Sequence, residues 1–178
     1  GTLVFLAGHT HHGTGGLAQP PPRDTHAQVQ LCASCAHDYN PDATSGPKSQ
    51  HPEEDGLAVD GNRNTAWTTE TYVNDTLGKP GVGIYVDAKP GVAAGSMIID
   101  TDTPGYKVTI YARSSRPNPA SFDAGPGGWV AVGNAPDVHS TQTITLHTGG
   151  VRYRYYLVWI TSLGSNGHVD INEIALYT

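Results

Sequence analysis

The sequence predicts an all-β fold, a sandwich or jelly roll of about eight short antiparallel strands. Three observations point there. Apolar residues alternate with polar ones in short runs, and those runs are separated by Gly, Pro, Asn and Asp turn chemistry. The composition agrees, with 22 Gly and 13 Pro in 178 residues. That length allows one domain of ordinary size with a real core.

The strands follow in order. "GVGIYVDA" places Val82, Ile84 and Val86 on one face, and "GSMIIDT" is a short apolar run. "YKVTIYA" alternates Tyr106, Val108 and Ile110, and "WVAVG" sets Trp129, Ala131 and Gly133 against Val130 and Val132. "QTITLHT" alternates Ile144 and Leu146. "RYRYYLVWITS" is the longest strand, with Tyr153, Tyr155, Leu157 and Trp159 assigned to one face. "VDINEIALYT" starts in phase with Val169 and Ile171 and shifts to Ile174 and Leu176, which implies a bulge around Asn172 and Glu173. "DAKPG", "DTPG", "SSRPNPASFDAGPGG" and "SLGSNG" are turn and loop chemistry, and "PEEDGLAVDG" is the one stretch suited to a helical turn.

Residues 1–30 read as a flexible linker, because "HTHHGTGGLAQPPPRDTHAQ" has no apolar period and little to bury. The leading "GTLVFLAG" reads equally as the trailing end of a membrane span or as an unrelated apolar remnant. The β domain is assigned to residues 31–178. Charged residues make up 15% and the net charge is −6, which argues against nucleic acid or an anionic membrane surface as the main partner. The two cysteines, in "LCASCAHDYN", are readable as a local disulfide or free thiols, half of a zinc site with His37 or His51, or a redox pair, with the local reading preferred.

The stretch "LAVDGNRNTAWTT" sets a polar loop against a Trp. Asp60, Asn62, Asn64 and Thr65 offer hard oxygens within six positions, and Gly61 allows a sharp turn, a mixture suited to Ca²⁺. A plain turn, with Asp60 and Thr65 bonding their own backbone, is the alternative. Trp67 reads as a core wedge beneath the loop.

The run Val59, Asp60, Gly61, Asn62, Thr65, Trp67, matched by "INEIALYT" at the end, resembles the discoidin-like (coagulation factor V/VIII type C) domains, which are galactose-binding-like jelly rolls. The phrases "HPEEDGLAVDGNRNTAWTTETY", "GKPGVGIYVD", "TPGYKVTIYA" and "YYLVWITSLG" resemble more narrowly the extracellular C-terminal domains of actinobacterial serine/threonine kinases and MviN-like lipid II flippases. That resemblance implies a cell-surface ectodomain of a larger membrane protein. It also implies a structural Ca²⁺ held by Asp60, Asn62, Thr65 and Glu173, with backbone carbonyls near Leu57 and Arg63.

No GxSxG, HExxH, Walker or dinucleotide pattern is present, so a non-catalytic binding module is expected. "HPEED" reads as a solvated acidic patch, with paired carboxylates of a hydrolase as the remote alternative. Asp38, Asp42 and Glu53 or Glu54 form a second cation candidate, and strand order is expected to bring Asp100, Asp102 and His168 to one end. The loops 68–81, 113–128 and 162–168 are the candidate binding surface. Tyr72, Arg113, Arg116, Asn118, Phe122 and His168 supply the residue types that hold a sugar, an aromatic face with polar groups around it. Each also has a plainer role: Tyr72 as a core cap, Phe122 as a pin for its own loop, the arginines as solvated charges. The expected partner is a carbohydrate or cell-envelope glycan, and the competing expectation is a protein-interaction or structural ectodomain with no sugar ligand.

Overall fold

Strand alternation decides which faces meet, and it does so here in two layers. The computed structural model describes residues 26–43 and 49–178. Its strands are β1 (Ala36–Tyr39), β2 (Trp67–Thr68), β3 (Val82–Val92), β4 (Ser96–Asp100), β5 (Lys107–Arg113), β6 (Val130–Ala135), β7 (Thr141–Thr145), β8 (Tyr153–Ser162), β9 (Asp170–Ile171) and β10 (Glu173–Tyr177). They form a five-stranded sheet in the order β1-β3-β8-β5-β6, a three-stranded sheet β10-β4-β7 and a short pair β2-β9. Every pairing is antiparallel. Two of these ten strands are only two residues long, which reconciles them with the eight or so expected.

The core lies between the two larger sheets. Ile84 and Val86 of β3, Val108 and Ile110 of β5, and Val158 and Ile160 of β8 share one buried cluster with Met97, Ile99, Ile144, Ile174 and Leu176 from the opposite sheet. Burying each such side chain is worth about 1.5–3 kcal/mol. Trp67 joins this cluster, fully buried, and its indole N–H donates to the Gln50 carbonyl at 2.6 Å, so a large aromatic sits at the base of the 57–67 loop without a stranded polar atom. The stretch expected to hold a helical turn forms a 3-10 helix over Pro52–Val59.

Two strand assignments change. Tyr155, Leu157 and Trp159 share the outer face of the five-stranded sheet, but Tyr153 does not join them. It packs against the main core, its ring 6.4 Å from that of Tyr156. The reason lies on the facing strand, whose register with β8 shifts between Asp87 and Val92, a segment that contains Pro90. At the other end, the expected bulge near Asn172 is a change of partner. β9 pairs with β2, β10 pairs with β4, and Asn172 stands between them.

The last strand also collects the beginning of the domain. Ala27 accepts from Thr178 N at 3.0 Å and Val29 N donates to the Leu176 carbonyl at 2.8 Å, while Val29 and Leu31 pack on the core. Residues 27–29, which the composition groups with the linker, thus take part in the hydrogen bonds and packing of the sandwich. The rest of the expected linker, residues 1–25 with its "GHTHH" run, lies outside the described residues. Cys32 and Cys35 form a disulfide across the short 3-10 turn Ala33–Cys35, which uses both thiols and displaces the zinc reading.

Candidate functional site

The outer face of a sandwich sheet is normally polar. Here it carries a second apolar cluster of Tyr39, Trp129, Tyr155, Leu157 and Trp159, with Tyr85, Tyr111 and Phe122 packed against it. The 114–128 loop covers part of this cluster. Phe122 stacks on Trp159 with centroids 4.7 Å apart and meets Tyr111 edge-on at 5.0 Å. The Tyr39 hydroxyl donates to the carbonyls of Asn118 and Ser121 at 3.0 and 2.8 Å, and in turn accepts from the Trp129 indole at 3.3 Å. Burial raises the Tyr39 hydroxyl above its ordinary value, which keeps it protonated as a donor. At the rim of the cluster Gly81 lies so close to Trp159 that a Cβ there would come within 2.2 Å of the indole ring.

Where the loop ends, the cluster opens into a cavity of about 240 Å³ lined by His37, Tyr85, Asp87, Arg116, Arg154 and Tyr155. β1, β3 and β8 are neighbours in the sheet, and this order brings His37, Tyr85 and Tyr155 side by side. The Tyr85 and Tyr155 rings meet edge-on at 5.9 Å, and His37 lies 5.2 Å from Tyr85. Arg154 sits over the Tyr155 ring at 5.1 Å and donates through Nε and Nη2 to the two Asp87 oxygens, both at 2.8 Å. Those hydrogen bonds hold the Asp87 carboxyl below the usual carboxylate range. Arg116 is exposed and makes no hydrogen bond or ion pair among the described residues.

Of the six candidates for ligand contact, Arg116 lines this cavity. Arg113 does not present its charge to solvent. It is 5% exposed, lies over Trp129 at 5.2 Å, and donates to the carbonyl and hydroxyl of Ser115, so it braces the loop. Phe122 pins the same loop, and the Asn118 amide oxygen accepts from Ala120 N at 2.9 Å. Tyr72 and His168 belong to another pair of loops, joined where Tyr72 N donates to the Gly167 carbonyl at 2.8 Å. The Tyr72 ring is half-buried under Lys79, with its hydroxyl 3.4 Å from Gln50 Oε1, and His168 faces Asp170 at 3.3 Å. His37, Tyr85, Asp87, Arg154 and Tyr155 were missed by reading the sequence. The available signal was the second phase of two strands, where Tyr85 and Asp87, then Tyr155, Leu157 and Trp159, put aromatic and paired charged groups where plain polar residues belong.

The 57–67 loop brings together the four oxygen donors expected to share a cation. Gly61, at φ +76°, lets the chain turn and point its N–H at Glu173 Oε1, 2.9 Å away on β10. Asp60 accepts from the Thr65 hydroxyl at 2.6 Å and from Asn62 N at 2.9 Å, and the Asn62 amide oxygen accepts from Asn64 N at 2.9 Å. The Arg63 carbonyl accepts from the Asn172 amide at 3.0 Å. Burial pushes the Glu173 carboxyl up to about 7, with the nearby Asp60 charge adding to the rise and the Gly61 hydrogen bond opposing it. For Asp60 burial also raises, but the bonds from Thr65 and Asn62 together outweigh it and hold the carboxyl below its ordinary value. Beside these groups is a cavity of about 260 Å³ lined by Asp60, Gly61, Glu173 and residues 28–31. Of the four expected donors Asp60 and Glu173 line this cavity, and two carboxylates with the loop's amide and hydroxyl oxygens in the same turn are a donor set that fits a hard cation.

Several other acidic groups take local partners. Glu54 accepts from Thr68 N at 3.2 Å and Asp55 from Asp38 N at 3.0 Å, while Asp38 accepts from Gln50 N at 2.7 Å. His51 contacts Glu54 and Glu70 at 3.8 and 3.6 Å, and its hydrogen bond to the Thr68 carbonyl raises its pKa. Asp100 is tied to Arg63 and Thr141, and Asp102 to Asn172, so the carboxylates expected to meet His168 have other partners. Among the described residues no three His, Cys, Asp or Glu side chains gather as a metal site, which removes the Asp38, Asp42 and Glu53 or Glu54 candidate.

No family model matches the chain. Solved structures match it in fold. A family 89 glycoside hydrolase from Clostridium perfringens, solved in complex with PUGNAc, matches over 84% of this chain with a TM-score of 0.53 at 18% identity, and the chain spans 14% of that protein's length. CpGH89CBM32-6 from Clostridium perfringens matches over 88% of this chain and 95% of its own, with a TM-score of 0.52 at 14% identity. Chitosan-binding module 2 from a chitosanase/glucanase of Paenibacillus sp. IK-5, solved in complex with chitotriose, matches over 69% of this chain and 85% of its own, with a TM-score of 0.52 at 16% identity. At such identities the likeness is one of architecture, and by that architecture the chain is a jelly-roll β-sandwich.

Proposed function

We propose that this domain is a non-catalytic glycan-binding module that reads its ligand on the outer face of the five-stranded sheet. The observation that carries this reading is the cavity in which the Tyr85 and Tyr155 rings lie beside the guanidinium groups of Arg116 and Arg154. A pyranose ring offers an apolar face to an aromatic ring and hydroxyls to planar donors, and this cavity supplies both. The solved relative with chitotriose bound adds support by fold alone. Two of the three carboxylates in "HPEED", Glu54 and Asp55, accept from backbone N–H groups, which favours binding over hydrolysis.

The competing reading, a protein-interaction ectodomain, calls for a broad exposed apolar patch. Among the described residues the large exposed hydrophobics are Val73 and Val151, single positions on different loops. In the cell we place the module outside the membrane, as the ectodomain of a larger membrane protein, on the resemblance of "GKPGVGIYVD" and "YYLVWITSLG" to such domains.

The reading includes a structural Ca²⁺ held by Asp60, Asn62, Thr65 and Glu173. When bound, the ion supplies positive charge between two crowded carboxylates and ties the 57–67 loop to β10. The glycan reading is tested by isothermal titration with envelope and galactose-type oligosaccharides against wild type and Tyr85→Ala. Saturable binding that weakens by at least about tenfold in the variant, with an unchanged circular dichroism spectrum, is the expected result. Unaltered binding in Tyr85→Ala places the ligand elsewhere.

A further inference from the structure

We propose that the outer-face cavity selects acidic saccharides, sugar rings that carry a carboxylate, over their neutral counterparts. This rests on the reading that the face binds glycan and adds the charge class of the ligand.

The chain is acidic overall, at −6. This cavity runs the other way. Its lining holds two guanidinium groups, Arg116 and Arg154, and one carboxylate, Asp87, so one positive charge is left over. Asp87 is fully engaged by Arg154, with each of its oxygens taking one N–H. The surplus therefore sits on Arg116, which has no acceptor among the described residues. Asp38 is next to His37 in sequence, but alternation on β1 turns it from this face, and its carboxylate accepts from Gln50 N.

Both arginines of the cavity are also held in place. Arg154 is fixed from two sides, by the fork on Asp87 and by the Tyr155 ring beneath it. With its fork spent on Asp87, Arg154 shapes the edge of the cavity, and the planar fork that matches a ligand carboxylate is that of Arg116. The 114–128 loop that carries Arg116 is also held down, through Tyr39 on Asn118 and Ser121 and through Phe122 on Trp159. The geometry is that of a half-buried ring, Tyr85, as the platform, with Tyr155 buried behind it under Arg154 and, at its edge, a cation without an acceptor among the described residues. A neutral sugar uses the platform and leaves Arg116 unmatched. A sugar with a carboxylate at the ring edge uses both.

The test uses matched ligand pairs that differ only in charge: trigalacturonate against its methyl ester, and a muramic-acid disaccharide against its carboxamide. Affinities are measured by titration calorimetry at low and at physiological salt, with wild type, Arg116→Gln and Arg116→Lys. The expected result is an acid form bound about tenfold tighter than its neutral partner at low salt, a gap that narrows with added salt and closes in Arg116→Gln. Arg116→Lys keeps part of the gap, because it keeps the charge and loses the fork. Equal affinity for both members of each pair overturns the charge selection and leaves the glycan reading standing. No binding of either member overturns both. Inorganic phosphate that binds as tightly as the acid sugars, and displaces them, reduces the cavity to a simple anion site and also overturns the proposal.

Discussion

Asp55 shows how one side chain sets a pH response. Its Oδ2 accepts from Asp38 N and ties the 3-10 helix over Pro52–Val59 to β1. Burial, joined by the neighbouring Asp38 side chain and its charge, pushes its carboxyl up to about 8, and the Asp38 N–H opposes that rise. A carboxyl whose folded pKa lies above its unfolded value keeps its proton longer in the folded state. The stability it contributes is complete below the ordinary carboxylate pKa and is lost as pH rises through about 8. Glu173, raised to about 7, acts with the same sign, so the informative quantity is a difference between proteins. Asp55→Asn stays neutral at every pH, and its Tm should fall less than that of wild type between about pH 5 and pH 9. Parallel Tm profiles by differential scanning fluorimetry would remove Asp55 from the account. Asn172 is the second decisive residue. It is 2% exposed, donates to the Arg63 carbonyl and to Asp102, and accepts from Asp102 N. Asn172→Ala strands these groups and should cost about 2–4 kcal/mol in urea unfolding.

The strands of the sandwich were readable from alternation, since Val82, Ile84 and Val86, or Ile144 and Leu146, leave one choice of buried face. Tyr153 was misplaced because its phase is set by an irregularity on β3, a strand some sixty residues away in sequence. Asn172 carried a visible phase change, but the exchange of partners behind it depends on sheet order. Loops fared differently. The 114–128 stretch has turn residues and no period, so its docking on the outer face was not legible, although Phe122 was recognised as a pin for its own loop. That docking predicts a local effect. Phe122→Ala should lower stability by about 1–2 kcal/mol, because the ring is half-buried. Hydrogen exchange should then speed up in 114–128 while β5 and β8 stay protected. Uniformly faster exchange would mean that the loop is part of the global core.

Among the described residues, β10 is where the first and last segments of the sandwich meet. It pairs with β4, takes backbone bonds from residues 27–29, and presents Glu173 to the 57–67 loop. The oxygen cluster was legible because its members share a short motif and a terminal strand. The outer-face cavity was not, because His37, Tyr85 and Tyr155 come from segments far apart in sequence that only the β1-β3-β8 order brings together. If the cluster holds Ca²⁺, the ion stabilises the folded state by mass action, about 2.7 kcal/mol at a free concentration 100 times Kd. Tm should rise with calcium and fall with chelator in wild type. Asp60→Ala should lose that response, and Val59→Ala, which removes only packing, should keep it at a lower Tm. An unchanged wild-type melt in chelator would leave those oxygens to the turn alone. The central claim, that the outer face of the five-stranded sheet binds glycan, is tested most directly by titrating ¹⁵N-labelled protein with acidic and neutral envelope oligosaccharides and mapping the amide shifts. The account predicts saturable shifts centred on Tyr85, Asp87, Arg116, Arg154 and Tyr155. Shifts confined to the Tyr72 and His168 loops, or none across the panel, would contradict it.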